Sequence, residues 1–336
     1  MKIAAFTGGD AVPSARFRVR QYVAPLHTLG IDLDEMRTST GAYPPAANWQ
    51  RPLWGAARLA ELGMKVVRSR SYDAVLLQRE MLSSLTTLEG LTGRPRILDV
   101  DDAIHLLRVG KVAQKLAGMV DRIICGNTWL ADWYARWNAN VVVMPTGVDT
   151  ARYVPTLVAP VGGRCVIGWI GTSANFGYLQ SLESALAEVL RSCPSARLLV
   201  VSDRAPSLPS LDPATWTFSR WSEATEIADI QRMDIGIMPL RDSDWARGKC
   251  SFKMLQYMAC GLPVVVSPVG MNAEVLAQGA CGHAATSTSE WIDALTSLVS
   301  SEQQRATLGG AGRKIVEQSY SLAKLVPQFA NHLRGY

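Results

Sequence analysis

What this chain lacks narrows its chemistry before any motif is weighed. It has no run of 18 or more apolar residues, so no segment is built to span a bilayer as a helix. Its six cysteines (Cys125, Cys165, Cys193, Cys250, Cys260, Cys281) form no CxxC pair and lie mostly in apolar or small-residue surroundings. Buried free thiols are expected, without a zinc site or a disulfide framework. Neither a GxSxG elbow nor a His-paired cysteine signature occurs, which argues against the common nucleophilic hydrolases. The glycines after the first apolar run do not form GxGxxG, and no acidic residue closes a second strand where a nicotinamide dinucleotide would need one. No basic tail or aromatic–basic stripe marks a nucleic-acid surface. Histidine is scarce: His27, His283 and His332 look incidental, and a lone His105 is more often structural than catalytic. The opening MKIAAFTGGD turns polar too quickly for a signal peptide and reads as a strand, so a cytoplasmic protein is expected.

What is present is a globular composition. The chain has 336 residues, 48% of them hydrophobic and 19% charged, too long for one ordinary core and suited to two. The net charge of +5 is uneven. Residues 1–150 hold 18 Lys+Arg against 14 Asp+Glu, whereas 151–336 hold 16 against 15. A mildly basic first half favours an anionic acceptor, and it admits a weak peripheral contact with an anionic membrane surface.

Short apolar runs alternate with helical periodicity along the first half. Strands are predicted at Lys2–Phe6, Ile31–Met36, Ala74–Gln78, Arg96–Val100, Arg122–Cys125 and Val141–Met144. Helices are predicted from Ser14 to Leu29, over Leu53–Val67, Leu82–Leu91 and Val112–Met119, and after an Asn127 cap. Pro- and Ser/Thr-rich residues 38–52 read as loop. PTGVDTARYVP followed by LVAPVGGR breaks the periodicity, so a linker belongs there. The pattern then restarts, with strands at Cys165–Ile170, Arg197–Val201, Ile235–Met238 and Pro263–Val266. Helices are expected at Leu179–Leu190, from a Ser222 cap to Met233, and near 289–300, 302–319 and 321–334. Strands alternating with helices mean parallel, doubly wound sheets. Two Rossmann-like α/β domains follow, with ligands expected beyond the carboxyl ends of their strands, in a central cleft.

The most informative stretch runs from Gly248 to Leu276, GKCSFKMLQYMACGLPVVVSPVGMNAEVL. Arg247, Lys249 and Lys253 gather at the opening of an amphipathic helix that stops at Gly261. Cations are poor neighbours for the positive end of a helix dipole. Basic residues there suggest a bound anion held by free N–H groups and side-chain charge; a solvated basic helix start is the competing reading. Gly8 and Gly9 follow the first strand and let a ligand approach the backbone, or simply form a tight turn. Arg16 and Arg20, four apart on the next helix, could fork around a phosphate or carboxylate, with Arg18 turned elsewhere and Arg20 the better candidate for a solvated surface residue. RILDVDD crowds Asp99, Asp101 and Asp102 at a strand tip, which costs energy unless the carboxylates are used. Asp101 suits a sugar hydroxyl, a transition state or a metal, and Asp102 suits a helix cap. Gly171, Thr172 and Ser173 open a helix with N–H groups and hydroxyls where a phosphate would lie, or form a plain cap. The Gly-Lys-Ser/Thr of a P-loop is missing, so ATP or GTP hydrolysis is not supported.

Four fragments, in order, resemble the family 4 glycosyltransferases (group 1 type), which have the GT-B fold. VVMPTGVDTARYVP is similar to their inter-domain segment, IGWIGTSANFGYLQSLESAL to their second-domain opening, and FKMLQYMACGLPVVVSPVGMNAEVL to their donor-binding helix, strand and turn. RMDIGIMPLRDSDWARGKCSFK is similar to a subgroup with RGKC before that helix. The resemblance implies a retaining, metal-independent hexosyl transfer from a nucleotide-diphosphate sugar (UDP or GDP) to an acceptor hydroxyl, in glycan, glycolipid or secondary-metabolite synthesis. No cofactor is implied. The acceptor would be a glycan, a lipid-linked molecule or a small molecule. A sugar-nucleotide epimerase and a silent sugar-nucleotide-binding protein are the alternatives.

The resemblance also implies residue roles. Arg247, Lys249 and Lys253 would clamp the diphosphate, with Gly171, Thr172, Ser173 and Gly248 beside the donor, and Gly8, Gly9 and Arg16 at the acceptor or a phosphate. Relatives often carry two glutamates eight positions apart, the second meeting ribose; Gly248 and Gln256 stand there, so Gln256 would contact ribose. Relatives also place an Arg and a Lys after the second domain's first strand, and Gly171–Gly177 has neither. Asp101 occupies the slot of a family histidine that meets the transferred sugar, so Asp101 and Lys253 would be the catalytic pair. The implied domains are 1–155 for the acceptor and 156–320 for the nucleotide sugar, with a helix at 321–336 returning to the first.

Overall fold

The computed structural model describes residues 1–9, 12–40, 44–82, 85–156 and 163–335, except the side chains of 108 and 109. Most of the linker segment LVAPVGGR therefore lies outside the described residues. The chain divides into two units: Met1–Gly147 with Arg247–Cys250 and Leu322–Tyr336, and Val148–Ala246 with Ser251–Ser321.

The first unit is built on β1 (Lys2–Phe6), β2 (Asp32–Glu35), β3 (Ala74–Gln78), β4 (Arg96–Val100), β5 (Arg122–Cys125) and β6 (Val141–Val143), all parallel, in the order β2-β1-β3-β4-β5-β6. Every residue of β3 and β4 is buried, because helices cover both faces of a doubly wound sheet and continuous apolar runs satisfy both. One face packs Ile3, Leu76 and Ile97 against Tyr22 and Leu26 and against Phe329 of the C-terminal helix Leu322–Arg334. Tyr22 and Phe329 meet edge to face at 4.9 Å.

The second unit holds β7 (Cys165–Ile170), β8 (Ala196–Ser202), β9 (Trp216–Arg220), β10 (Ile235–Met238), β11 (Val264–Val266) and β12 (Gly282–Ala284), again all parallel, ordered β12-β11-β10-β7-β8-β9. Counted from β7, this is the Rossmann order, and its topological switch point lies between β7 and β10. In the first unit the order reverses between β1 and β3. The expected α/β class, two doubly wound parallel sheets, is the architecture observed.

Several local expectations are corrected. The helix expected over Leu82–Leu91 is not seen among its described residues: the 3-10 turn Glu89–Leu91 forms there, and Leu82 bridges Leu85. Buried Glu89 accepts from the Met81 and Thr87 N–H groups, which fixes a turn in place of a helix. The first helix is interrupted, with Pro13–Ala15 leading into a π-turn at Arg16–Arg20 before Gln21–Thr28. Strands β9 and β12 were not expected: one is a polar edge and the other has three residues, too little apolar periodicity to read.

Candidate functional site

In the second unit, the loops that flank the switch point are those after β7 and β10. The helix Phe252–Ala259 is fixed against them by close packing. A Cβ on Gly236 would lie 2.3 Å from the Tyr257 ring, so only glycine lets the helix settle on β10. The Tyr257 hydroxyl then accepts the Ile170 N–H at 2.8 Å, at the end of β7. Ser251, just before the helix, sits in the left-handed region (φ 48°), and its hydroxyl donates to Asn272 Oδ1 at 2.6 Å.

From this helix Lys253 donates to Gln256 Oε1 at 3.0 Å. Gln256 is wholly buried, and its Nε2 donates to the Tyr153 hydroxyl (2.8 Å) and to Glu226 Oε1 (3.0 Å). Tyr153 also donates to Glu226, and Trp221 Nε1 reaches the other Glu226 oxygen at 2.7 Å. Gln256 thus links a partly exposed ammonium to a buried carboxylate, and the ribose contact implied for it does not match its burial. Both donors of Ser173 are used internally: its N–H lies 2.6 Å and its hydroxyl 2.8 Å from the Asp203 carboxylate. Those bonds, led by the Ser173 N–H, hold the Asp203 carboxyl below its usual range. Thr172 Oγ1 accepts from Asn175 Nδ2, and a Cβ on Gly171 would strike the Trp169 ring at 2.6 Å. Gly171–Ser173 is therefore a stiff, internally bonded turn.

In the first unit, charged pairs crowd the carboxyl ends of the strands. Arg18, fully buried, grips Asp99 through Nε and Nη2, the closest approach being 2.5 Å, and donates to the Met144 carbonyl at 2.8 Å. It points inward, beneath the strand tips, which is where the sequence left it undefined. Burial raises the Asp99 carboxyl, and the guanidinium opposes that rise. Burial likewise works against the Arg18 charge, but Asp99 more than offsets it and raises the guanidinium above its ordinary value. Arg79, past β3 in the left-handed region (φ 65°), holds Asp101 Oδ1 through Nε (2.9 Å) and Nη2 (2.7 Å) and reaches Asp102 at 3.5 Å. A non-glycine residue in that region at a strand tip is a mark of functional sites. Asp102 accepts the Ala103 N–H at 3.2 Å, and its carboxyl is raised by burial, against the pull of Arg79 and Lys249.

Arg247–Cys250 lies on this edge. Asn127 caps its helix by accepting the Leu130 N–H at 2.9 Å, while its Nδ2 holds the carbonyls of Arg247 and Lys249, each at 3.1 Å. The Cys250 thiol donates to the Asp101 carbonyl at 3.1 Å, and a Cβ on Gly248 would come within 2.6 Å of Ala103. Burial raises the Cys250 thiol, so it is an inert packing group. At β1, Gly9 (φ 93°) turns the chain, Gly8 packs on Val12, and Arg16 stacks on Phe17 at 4.6 Å. Arg20, read from the sequence as solvated, is tied to Glu35 at 2.9 Å and to the Gly9 carbonyl at 2.8 Å. His105 is buried and stacked on Trp133 at 4.5 Å, a packing position. Sequence reasoning missed Arg79 and Glu226, which carry no motif, and Tyr153, which lies in the PTGVDTARYVP stretch but was given no role there.

Residues 164–301 match the family model described as Glycosyl transferases group 1. No curated protein shows significant similarity to the chain. Among solved structures, sucrose-phosphate synthase from Thermosynechococcus elongatus aligns over 99% of this chain and 98% of its own, with a TM-score of 0.73 at 13% identity. Anabaena HepE in complex with UDP and glucose aligns over 100% of both chains (TM-score 0.73, 15% identity). WaaG, a glycosyltransferase involved in lipopolysaccharide biosynthesis, aligns over 99% of this chain and 100% of its own (TM-score 0.69, 12% identity). At these identities the likeness establishes the fold, which is GT-B.

Proposed function

We propose that this protein is a nucleotide-sugar-dependent glycosyltransferase. It moves a hexosyl group from a UDP- or GDP-sugar to an acceptor hydroxyl, with retention at the anomeric carbon and without a metal. The observation that carries the reading is the helix Phe252–Ala259: it starts beside the second unit's switch point, within residues that match the family model, and presents Lys253 at its opening. The C1–oxygen bond to the diphosphate breaks as the acceptor oxygen bonds C1 from the same face, and the acceptor proton passes to the leaving diphosphate oxygen. Negative charge grows on the leaving diphosphate, so a preorganised cation acts where it matters.

Lys253 is the proposed diphosphate contact. Gln256, bonded to it, orients the ammonium and stands on Glu226 and Tyr153. Arg247 and Lys249 add cationic charge to the same stretch of chain, and Gly171 with Thr172 and Ser173 forms the turn against which the donor rests. In the first unit, Asp101 is the proposed contact to the sugar, its carboxylate fixed by Arg79. Gly8, Gly9 and Arg16 are assigned to the acceptor, a glycan, lipid-linked or small molecule; synthesis of a glycan, glycolipid or secondary metabolite in the cytoplasm is the proposed setting.

Lys253→Ala tests the assignment. Transfer should fall by about 10²-fold, as on loss of one transition-state contact, with weaker UDP- or GDP-sugar binding in a thermal-shift panel. Near-normal turnover and donor affinity would remove Lys253 from the site. Donor incubated alone and with acceptors separates transfer from epimerisation, and a chelator that abolished activity would end the metal-free reading.

A further inference from the structure

Buried Glu226 serves two directions within the second unit. Oε1 accepts from Gln256 and from Tyr153, and Gln256 in turn accepts from Lys253. Oε2 accepts the Trp221 Nε1–H at 2.7 Å. Trp221 follows β9 directly, and its backbone N–H donates at 2.8 Å to the carbonyl of Ser202, the last residue of β8. The indole therefore stands at the carboxyl ends of the strands, the edge where ligands of such sheets bind. It belongs to the most exposed tryptophan of this unit, at 37%, against 4% for Trp169 and 1% for Trp291. Its one polar atom is taken by a buried carboxylate, so what it has left to offer is apolar ring face. A ring pinned before binding loses little side-chain freedom on contact, which favours recognition over idle exposure.

The separation from Lys253 narrows the ligand. The path from the indole nitrogen through the Glu226 carboxylate and the Gln256 amide keeps the Lys253 ammonium within about 13 Å of it. Across the sheet, β9 lies two strands, about 10 Å, from β7, which leads into the Gly171–Ser173 turn. A nucleoside diphosphate has that reach, with a flat aromatic base at one end, charge at the other and a ribose between. We propose that Trp221 is the platform on which the donor's nucleobase stacks while Lys253 holds the diphosphate. Base and indole meet face to face, a contact open to any base because every base has a π-face. Glu226 stays behind the ring and meets no ligand. The inference rests on the assignment of Lys253 to the donor diphosphate.

Isothermal titration of UDP and of GDP into the full chain tests it. Trp221→Leu should weaken whichever nucleotide binds by about tenfold, at a melting temperature close to that of the unaltered protein. Trp221→Gln, which keeps a donor for Glu226 but no ring, should lose as much. Trp221→Phe keeps a stacking face without the N–H and should stay within about threefold of the unaltered affinity. The salt dependence should be unchanged in all three, because no charge is lost, whereas Lys253→Ala should flatten it. Unaltered affinity in Trp221→Leu or Trp221→Gln would overturn the proposal and leave the Lys253 assignment standing. Equal losses in Trp221→Leu and Trp221→Phe would overturn it too, since the bond to Glu226 rather than the ring face would then carry the effect. Binding of neither nucleotide by the unaltered chain would instead end the donor reading itself, and this inference with it.

Discussion

Replacing Gln256 by glutamate would place a second carboxylate in a buried site that already holds Glu226. The side chain is wholly buried, with Nε2 3.0 Å from Glu226 Oε1 and 2.8 Å from the Tyr153 hydroxyl. An ionised oxygen there loses both donated bonds and meets like charge. At 3.0 Å and an effective dielectric of about 20, that repulsion is about 5–6 kcal/mol. Lys253, 3.0 Å from the other oxygen, returns an attraction of the same order, reduced because the ammonium is partly exposed. Two lost bonds at about 1 kcal/mol each leave the ionised variant about 3 kcal/mol worse than the unaltered protein. Protonating the new carboxyl restores a donor to Glu226 and removes the repulsion. Its folded-state pKa should therefore rise by about two units above the ordinary glutamate value.

The sign follows from linkage. A carboxyl whose folded pKa is raised contributes stability below its unfolded pKa, and loses it as pH rises through the folded value. Gln256→Glu should thus come closest to the unaltered protein near pH 4 and fall behind through about pH 6–7. Urea denaturation at pH 5 and pH 8 reads this directly, and the deficit should be about 2 kcal/mol larger at pH 8. Adding Glu226→Gln to the same chain should abolish the pH dependence. An equal deficit at both pH values, or none, would refute the account of Gln256 as the neutral link between Lys253 and Glu226.

Breaking the Arg18–Asp99 pair by Asp99→Ala should cost about 3–5 kcal/mol in the first unit, because a buried guanidinium is left uncompensated. Arg18→Met/Asp99→Leu should be near neutral by the same measurement, chemical denaturation. Gly236→Ala should cost about 1–3 kcal/mol and weaken donor binding in a thermal-shift assay, since its Cβ would lie 2.3 Å from the Tyr257 ring that seats the helix carrying Lys253.

Ten of the twelve strands among the described residues were legible, most of them for one reason. In a parallel sheet covered on both faces, an unbroken apolar run between turn residues is itself the strand, as in AVLLQ and CVIGWI. The helix capped by Asn127 was equally readable, because its cap is local. Leu82–Leu91 misled because its leucines have helical spacing while Glu89 binds the chain into a turn. Of the candidate site, the stretch around Lys253 stood out by composition. Its support did not, since Glu226 and Tyr153 lie 30 and 103 residues from Gln256.

The sequence alone determined that the chain folds as two parallel α/β units, because periodicity and turn residues act between near neighbours. Only the tertiary structure decided which charges pair. Arg18 finds Asp99 across 81 residues and Arg79 finds Asp101 across 22, and no local pattern encodes either. The tertiary structure also decided the facing of the helix Arg51–Ser69. Periodicity reveals that a helix has distinct faces, but which face turns inward depends on the partners waiting there. Here the Thr38, Thr40 and Met81 oxygens take Arg58 into the interior and leave Leu53, Met64 and Val67 in water.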